Sequence, residues 1–489
     1  MHKNKRPGSL NRRHLMLMGG AAAAIAGLPF RVRAAETISP IMTKLSAYMA
    51  EAGAKALPAE VAERTKQAIL DTLAAMISGA DLPPGKFAVN FARLYKGEKV
   101  ATVAASDVVC GPIEAALVNG MLAHSDETDD THPASLSHPG AAVVPAALAM
   151  GEKFASDGNR FLRAVALGYD IGPRVTATLG KQEYQAETHR ASHAIAANFG
   201  AAAAAASLAG LNAQQMRWML SYAAQQASGL ASWQRDTQHI EKSFDFAGMG
   251  ARNGVTSALL VQAGGTGVED VLSGADNFLE AFKPMNDPNM LVDALGTRYE
   301  VMRTDVKKWT VGSPIQAPLD ALYNLHQKNK IDPDAVQKIV VRVGSREAGV
   351  TDNREIPDIN MQYMLAVMLV DKTASFKAAH DFARMRDPTI MKHRAKVSIV
   401  GDEELDKLMP KRAAVVEVTL SDGKVLSERV ETVRGTAANR MTREEIIEKA
   451  KDLIVPILGA GKFQKLTDAV FGLENVKSVM ELRPLLQRV

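Results

Sequence analysis

The hydrophobic pattern changes its period once along the chain. From about residue 40 to residue 300, apolar side chains recur every three or four positions, as in Val61, Ala68, Leu70, Leu73, Ala74 and Ile77, or Ile113, Leu117 and Met121. That spacing predicts helix almost throughout. The alanine-dominated run from Gly200 to Gly210 suits close approach on several faces and predicts a buried central helix. After about residue 300, β-branched alternation takes over in Lys338–Val343, Lys396–Val400 and Ala414–Leu420, and Ser421-Asp-Gly-Lys424 supplies a hairpin turn into Val425–Val430. Helical patterns at Met361–Val370 and Ala374–Ala383 fall between these strands. Thr442-Arg-Glu-Glu445 is a capping box opening a helix to about Ile454, with two more helices predicted beyond it. The predicted fold class is mainly α: a large all-helical domain, 38–300, completed by 437–489, and a smaller α+β domain over 301–436.

Composition changes this picture mainly at the start of the chain. Arg12-Arg13, an uncharged run from Leu15 to Phe30 and Val32-Arg33-Ala34 read as a twin-arginine signal peptide, residues 1–34, and predict a periplasmic protein. The apolar run is shorter than the roughly 20 residues a membrane helix needs, so no stable membrane anchor is expected. The leader holds seven Lys or Arg and no acid, so without it the formal charge falls from +4 to −3. No basic stripe interleaved with aromatics remains to suggest a nucleic-acid partner. Cys110 stands alone, which excludes an internal disulfide, a thiolate-held iron–sulfur cluster and a Cys-rich zinc site.

Candidate chemistry concentrates between Asn119 and Gly140, where Asp126, Glu127, Asp129 and Asp130 share a loop with His124, His132 and His138. Carboxylates there suit proton abstraction if burial or a neighbouring charge tunes them, and Thr131 adds a hydroxyl. His138-Pro139 is predicted to open a helix with Pro139 at its first position, leaving His138 at an end that favours anions. Pro145 predicts a kink in that helix. The acids with His124, His132 and His138 could instead ligate Zn or Mn, but His-x-x-x-His spacing is lacking, so neither metal nor cofactor is expected. His189 and His193 precede the alanine helix, Lys242 and Arg252 flank a glycine-bearing segment, and Lys307 marks entry to the second domain. Cations at such places suit a small polycarboxylate.

Taken together, the chain resembles the MmgE/PrpD family, which includes 2-methylcitrate dehydratases and cis-aconitate decarboxylases, from about Ser39 to Arg488. The matching features are Asp71–Gly79, the Asn119–Pro139 block, Phe199–Gly210, Ala251–Gly254 through Gly264–Gly267, Leu319-Asp-Ala321 and the Asp422-Gly423 hairpin. The resemblance implies a helical domain built from both ends of the chain, a smaller α+β lid, a homodimer and a cofactor-free site between the domains. The family's Asp-x-Asp-Asp-Thr and downstream His-Pro fall on Glu127, Asp129, Asp130, Thr131 and His138. A family histidine falls at Ala191, a family lysine at Ser243 beside Lys242, and a Pro-Cys-Cys-Arg-like stretch with a later histidine becomes Thr310–Ser313 and Gln316. On this basis Glu127, Thr131, His138 and Lys307 are the expected catalytic residues, and Asp130, His193 and Lys242 the expected substrate contacts. The expected activity is dehydration of a 2-methylcitrate-like hydroxy acid by a cofactor-independent lyase. Decarboxylation, epimerisation and a periplasmic carboxylate-binding protein that has lost catalysis are the alternatives.

Overall fold

Helix starts along the chain are written in short polar side chains. Ser39, Asn212 and Thr442 each turn an oxygen onto a free backbone N–H of the helix that follows, and Thr442 completes the predicted capping box with Glu445. The computed structural model describes residues 37–488, so the expected leader lies outside the described residues.

The helices that build the site are α1 (Ala59–Gly79), α2 (Pro112–Ala123), α3 (Pro139–Lys153), α4 (Gly158–Leu179), α5 (Ser192–Leu208) and α6 (Met249–Gln262). Every residue of α5 is buried, and α3, α4 and α6 pack around it. Small residues make this possible: a Cβ on Gly172 of α4 would lie 2.4 Å from the Ala196 carbonyl oxygen, and one on Gly254 of α6 would lie 2.4 Å from the Ala202 nitrogen. The alanine run is therefore the hub its composition predicts. A two-residue ladder pairing Ala101–Thr102 with Val109–Cys110 interrupts this helical region, which the helical spacing did not anticipate.

A second hydrophobic cluster gathers residues from Trp309 to Val433. It is built on α7 (Ser313–Lys328), β1 (Val336–Val343), α8 (Met361–Asp371), β2 (Val397–Gly401), β3 (Ala414–Leu420) and β4 (Val425–Val430). The strands form one mixed sheet in the order β2-β1-β3-β4. β1 and β2 run parallel with Ile339 opposite Val397, while β3 pairs antiparallel with β1, Val341 opposite Val416, and with β4. Alternation buries Ile339, Val341 and Val343 with Ala414, Val416 and Val418, and α7 and α8 pack on the sheet. The chain then returns to the first cluster through α9 (Arg443–Leu458), which packs on α1.

α3 continues through Pro145, which forfeits the bond to Ala141 while full burial of its neighbours holds the helix. One local expectation fails. Between Ala374 and Ala383 only Phe376–Ala379 is α-helical. There the His380 ring nitrogen Nδ1 donates to the Phe376 carbonyl at 2.8 Å, taking the acceptor that a continuing helix would use.

Candidate active site

The acid loop between α2 and α3 is buried, and lysines from distant parts of the chain hold its backbone. Lys307 donates to the Glu127 carbonyl at 2.7 Å and Lys449 of α9 to the Thr128 carbonyl at 2.9 Å. Lys449 also pairs with Asp71 of α1 at 2.6 Å. Thr131 and Asp305 exchange backbone hydrogen bonds of 2.9 and 2.7 Å. A loop carrying four acids tolerates burial only when its polar groups are met in this way.

His138 sits immediately before α3, with Pro139 at the first helical position, as predicted. Its Nδ1 lies 2.6 Å from the Asp130 carbonyl oxygen and 3.3 Å from Asp129 Oδ2. A carbonyl oxygen can only accept, so Nδ1 carries the proton and Nε2 is the atom left for chemistry. Asp129 Oδ2 also meets His124 Nδ1 at 2.9 Å, and Asp129 Oδ1 lies 3.6 Å from the Lys307 ammonium.

Glu127 is ion-paired with Lys242, and its other oxygen lies 3.6 Å from Lys307. Burial alone would raise the Glu127 carboxyl, but these two ammonium groups outweigh it and hold the group well below the usual carboxylate range. Asp129 is likewise held low against burial by the imidazoles of His124 and His138 and by Lys307. A carboxylate stabilised so strongly is a poor base, which moves the expected proton-transfer role from Glu127 toward His138.

Asp130 departs from its expected substrate contact. Tyr169 donates its hydroxyl to Oδ2 at 2.5 Å and the Gly140 N–H donates to Oδ1 at 3.1 Å, so both oxygens are committed. Burial raises this carboxyl to about 7. The free N–H groups at the start of α3 and a buried tyrosine both need an acceptor, and Asp130 supplies it.

An aromatic wall completes the site. The residues Phe244–Gly248 form a π turn leading into α6, and Phe246 on it stacks on His193 at 3.9 Å and on His124 at 4.8 Å, with Trp233 edge-on at 4.6 Å. π turns recur at functional sites because the extra residue re-aims a side chain. His239, in the left-handed backbone region at φ 62, sets its ring 5.2 Å from that of His124. Burial pushes the His124 imidazole down against the pull of Asp129, and burial with neighbouring positive charge pushes His193 and His239 well down.

The remaining expectations sort by where their side chains end. Thr131 Oγ1 is buried beside the loop without a hydrogen-bond partner among the described residues. His193 reaches the wall, whereas His189 is exposed. Ala191 is fully buried just before α5. Lys242 takes the place expected near Ser243, whose hydroxyl donates to Ile240 instead. Arg252 turns to Asn253 and the Phe244 ring. His132 binds Ser135 and Glu300 and belongs to a buried structural network. Gln316, in the first turn of α7, ties Trp309 and Val311 of the preceding segment to that helix. Phe246, Trp233 and His239 escaped the sequence reading because they lie about a hundred residues from the acid loop with no spacing that links them to it. His380 escaped it too: from the second cluster it reaches Asp126 at 2.9 Å, and against burial that partner raises it to about 9.

Two overlapping groups bring potential metal ligands together, His124 with Glu127 and His239, and His124 with Asp129 and His138.

Residues 43–291 match the MmgE/PrpD N-terminal domain and residues 309–475 the MmgE/PrpD C-terminal domain. Among curated relatives, cis-aconitate decarboxylase of Aspergillus terreus is 26% identical over 460 residues, covering 88% of this chain and 92% of the relative. A cis-aconitate decarboxylase-like protein of Aspergillus oryzae is 26% identical, covering 91% and 97%. The cis-aconitate decarboxylase of Homo sapiens is 25% identical, covering 87% and 90%. These relatives belong to fungal and human cells, which have no periplasm, and so overturn the expected periplasmic location. The segment 1–34 on which that expectation rested lies outside the described residues.

Proposed function

The chain belongs to the MmgE/PrpD family and is an enzyme of the lyase type, and from that premise we propose that it removes carbon dioxide from a small unsaturated polycarboxylic acid, with His138 as proton donor. The observation that carries this reading is the open Nε2 of His138, whose ring is fixed through Nδ1 on the Asp130 carbonyl and beside Asp129, the carboxylate that Lys307 also meets at 3.6 Å. Decarboxylation leaves the electron pair of the broken carbon–carbon bond on the substrate, and delocalisation into a neighbouring unsaturated carboxylate makes that charge bearable. Lys307 and Lys242 oppose it, in the manner of preorganised charge stabilisation. His138, having taken up a proton from solvent at Nε2, delivers it to carbon and returns to the neutral ring that keeps its Nδ1–H on the Asp130 carbonyl. Asp129, 3.3 Å from Nδ1, offsets the charge of the ring while both nitrogens are protonated.

Dehydration, the reaction expected from the sequence, needs one group to remove a proton and another to protonate the departing hydroxyl. Glu127 is too strongly ion-paired to serve readily as the first. Decarboxylation needs one proton delivered by one group, and the likeness to cis-aconitate decarboxylases favours it. Parallel incubations in deuterated water, one with cis-aconitate and one with 2-methylcitrate as hydroxy acid, test the choice. Release of carbon dioxide with one deuterium in the product is expected; an alkene formed from a hydroxy acid without carbon dioxide would replace this reading with dehydration.

A further inference from the structure

Beyond the proton-transfer site, we propose that His124, His239 and Glu127 form a binding site for a divalent transition-metal ion, zinc foremost. One ligand atom from each lies within 4.8 Å of those of the other two. His124 is fully buried, and its Nδ1 faces the Asp129 carboxylate at 2.9 Å, so the ring proton sits on Nδ1 and the lone pair on Nε2. That Nε2 is buried with no hydrogen-bond partner among the described residues, and so is Nε2 of His239. A buried lone pair on His124, beside an unpartnered imidazole nitrogen of His239 and one carboxylate, asks for an electrophile.

The donor set is two imidazoles and a carboxylate, which suits zinc and leaves a coordination position open. Asp129 behind His124 is the carboxylate–histidine arrangement that orients metal-binding rings. The alternative group of His124, Asp129 and His138 fails on its hydrogens: the nitrogens facing Asp129 already bear protons, one shared with that carboxylate and one donated to the Asp130 carbonyl. Lys242 now pairs with Glu127 and would have to swing away, so ammonium and metal compete for one carboxylate. If the substrate is the polycarboxylate proposed above, a dication adds to the positive charge of Lys242 and Lys307, which Glu127 and Asp129 partly offset.

The test is a titration of the untagged, chelator-treated full chain with Zn²⁺ by calorimetry, and with Co²⁺ by visible absorption. One saturable equivalent is expected, lost in His239→Ala, weakened about 10–100-fold in Asp129→Asn and tightened in Lys242→Met. His239 lies at a partly exposed position, and a melting curve matching the unsubstituted protein certifies that His239→Ala folds. Absence of a saturable equivalent, or binding that survives His239→Ala unchanged, overturns the site. Because the readout is binding, failure here leaves the decarboxylation reading to its own product assay.

Discussion

At the residue scale, the chemistry turns on which atoms of the acid loop remain free. His138→Asn keeps a polar side chain at the start of α3 but removes the transferable proton, and turnover should fall by about 10²–10⁴-fold with the fold intact. Steady-state kinetics beside a circular-dichroism spectrum checks this; retained turnover would remove His138 from the mechanism. Lys307 has a double task, donating to the Glu127 carbonyl and facing both Glu127 and Asp129. Lys307→Met should lower kcat/KM on the order of 100-fold, with a loss of stability from the buried carbonyl it abandons. Glu127 and Asp130 show how far an acid's environment decides its use: lysines hold the first ionised, while burial and a tyrosine turn the second into an anchor for α3.

At the element scale, α5 is a bearing on which α3, α4 and α6 rest with little side chain between them. Gly172→Ala would press a methyl group against the Ala196 carbonyl and within 3.2 Å of Gly200 Cα. Urea unfolding should show a loss of about 1–3 kcal/mol. The control is Gly461→Ala, in the helix Ala460–Phe471, where nothing lies within 4 Å of the added carbon. That change should stabilise by roughly 0.5–1 kcal/mol. Equal effects at the two positions would contradict the close packing assigned to α4 and α5. The π turn Phe244–Gly248 is the opposite kind of element, an irregularity placed where Phe246 must face His193 and His124.

At the scale of the whole molecule, His380 ties the second cluster to the acid loop through Asp126, with Asp358 also facing it. Its value is raised from 6.5 to about 9 in the folded chain, so folding binds a proton there. The stabilisation is complete below about pH 6.5 and is lost as pH rises through about 9. Melting temperatures of the unsubstituted protein and His380→Gln should therefore differ most near pH 6 and converge above pH 9. A difference that stays constant across this interval would show that the pair does not link the clusters electrostatically.

Much of the architecture was legible in one dimension. Helix and strand periods, the Thr442 capping box, the Ser421–Lys424 hairpin and Pro139 at the start of α3 are local, and local geometry is encoded by neighbours in the chain. The acid loop and Lys307 could also be singled out, because ionisable groups crowded between apolar helices or at a change of texture stand out in composition. The partners of those groups could not. Which oxygen of Asp130 meets Tyr169, which of His189 and His193 turns inward, and how Phe246, His239 and His380 arrive beside residues 124–138 depend on helix packing over a hundred or more residues. Periodicity tells which face of a helix is buried; only close packing decides which distant face it meets, and with it the protonation state of every group between them.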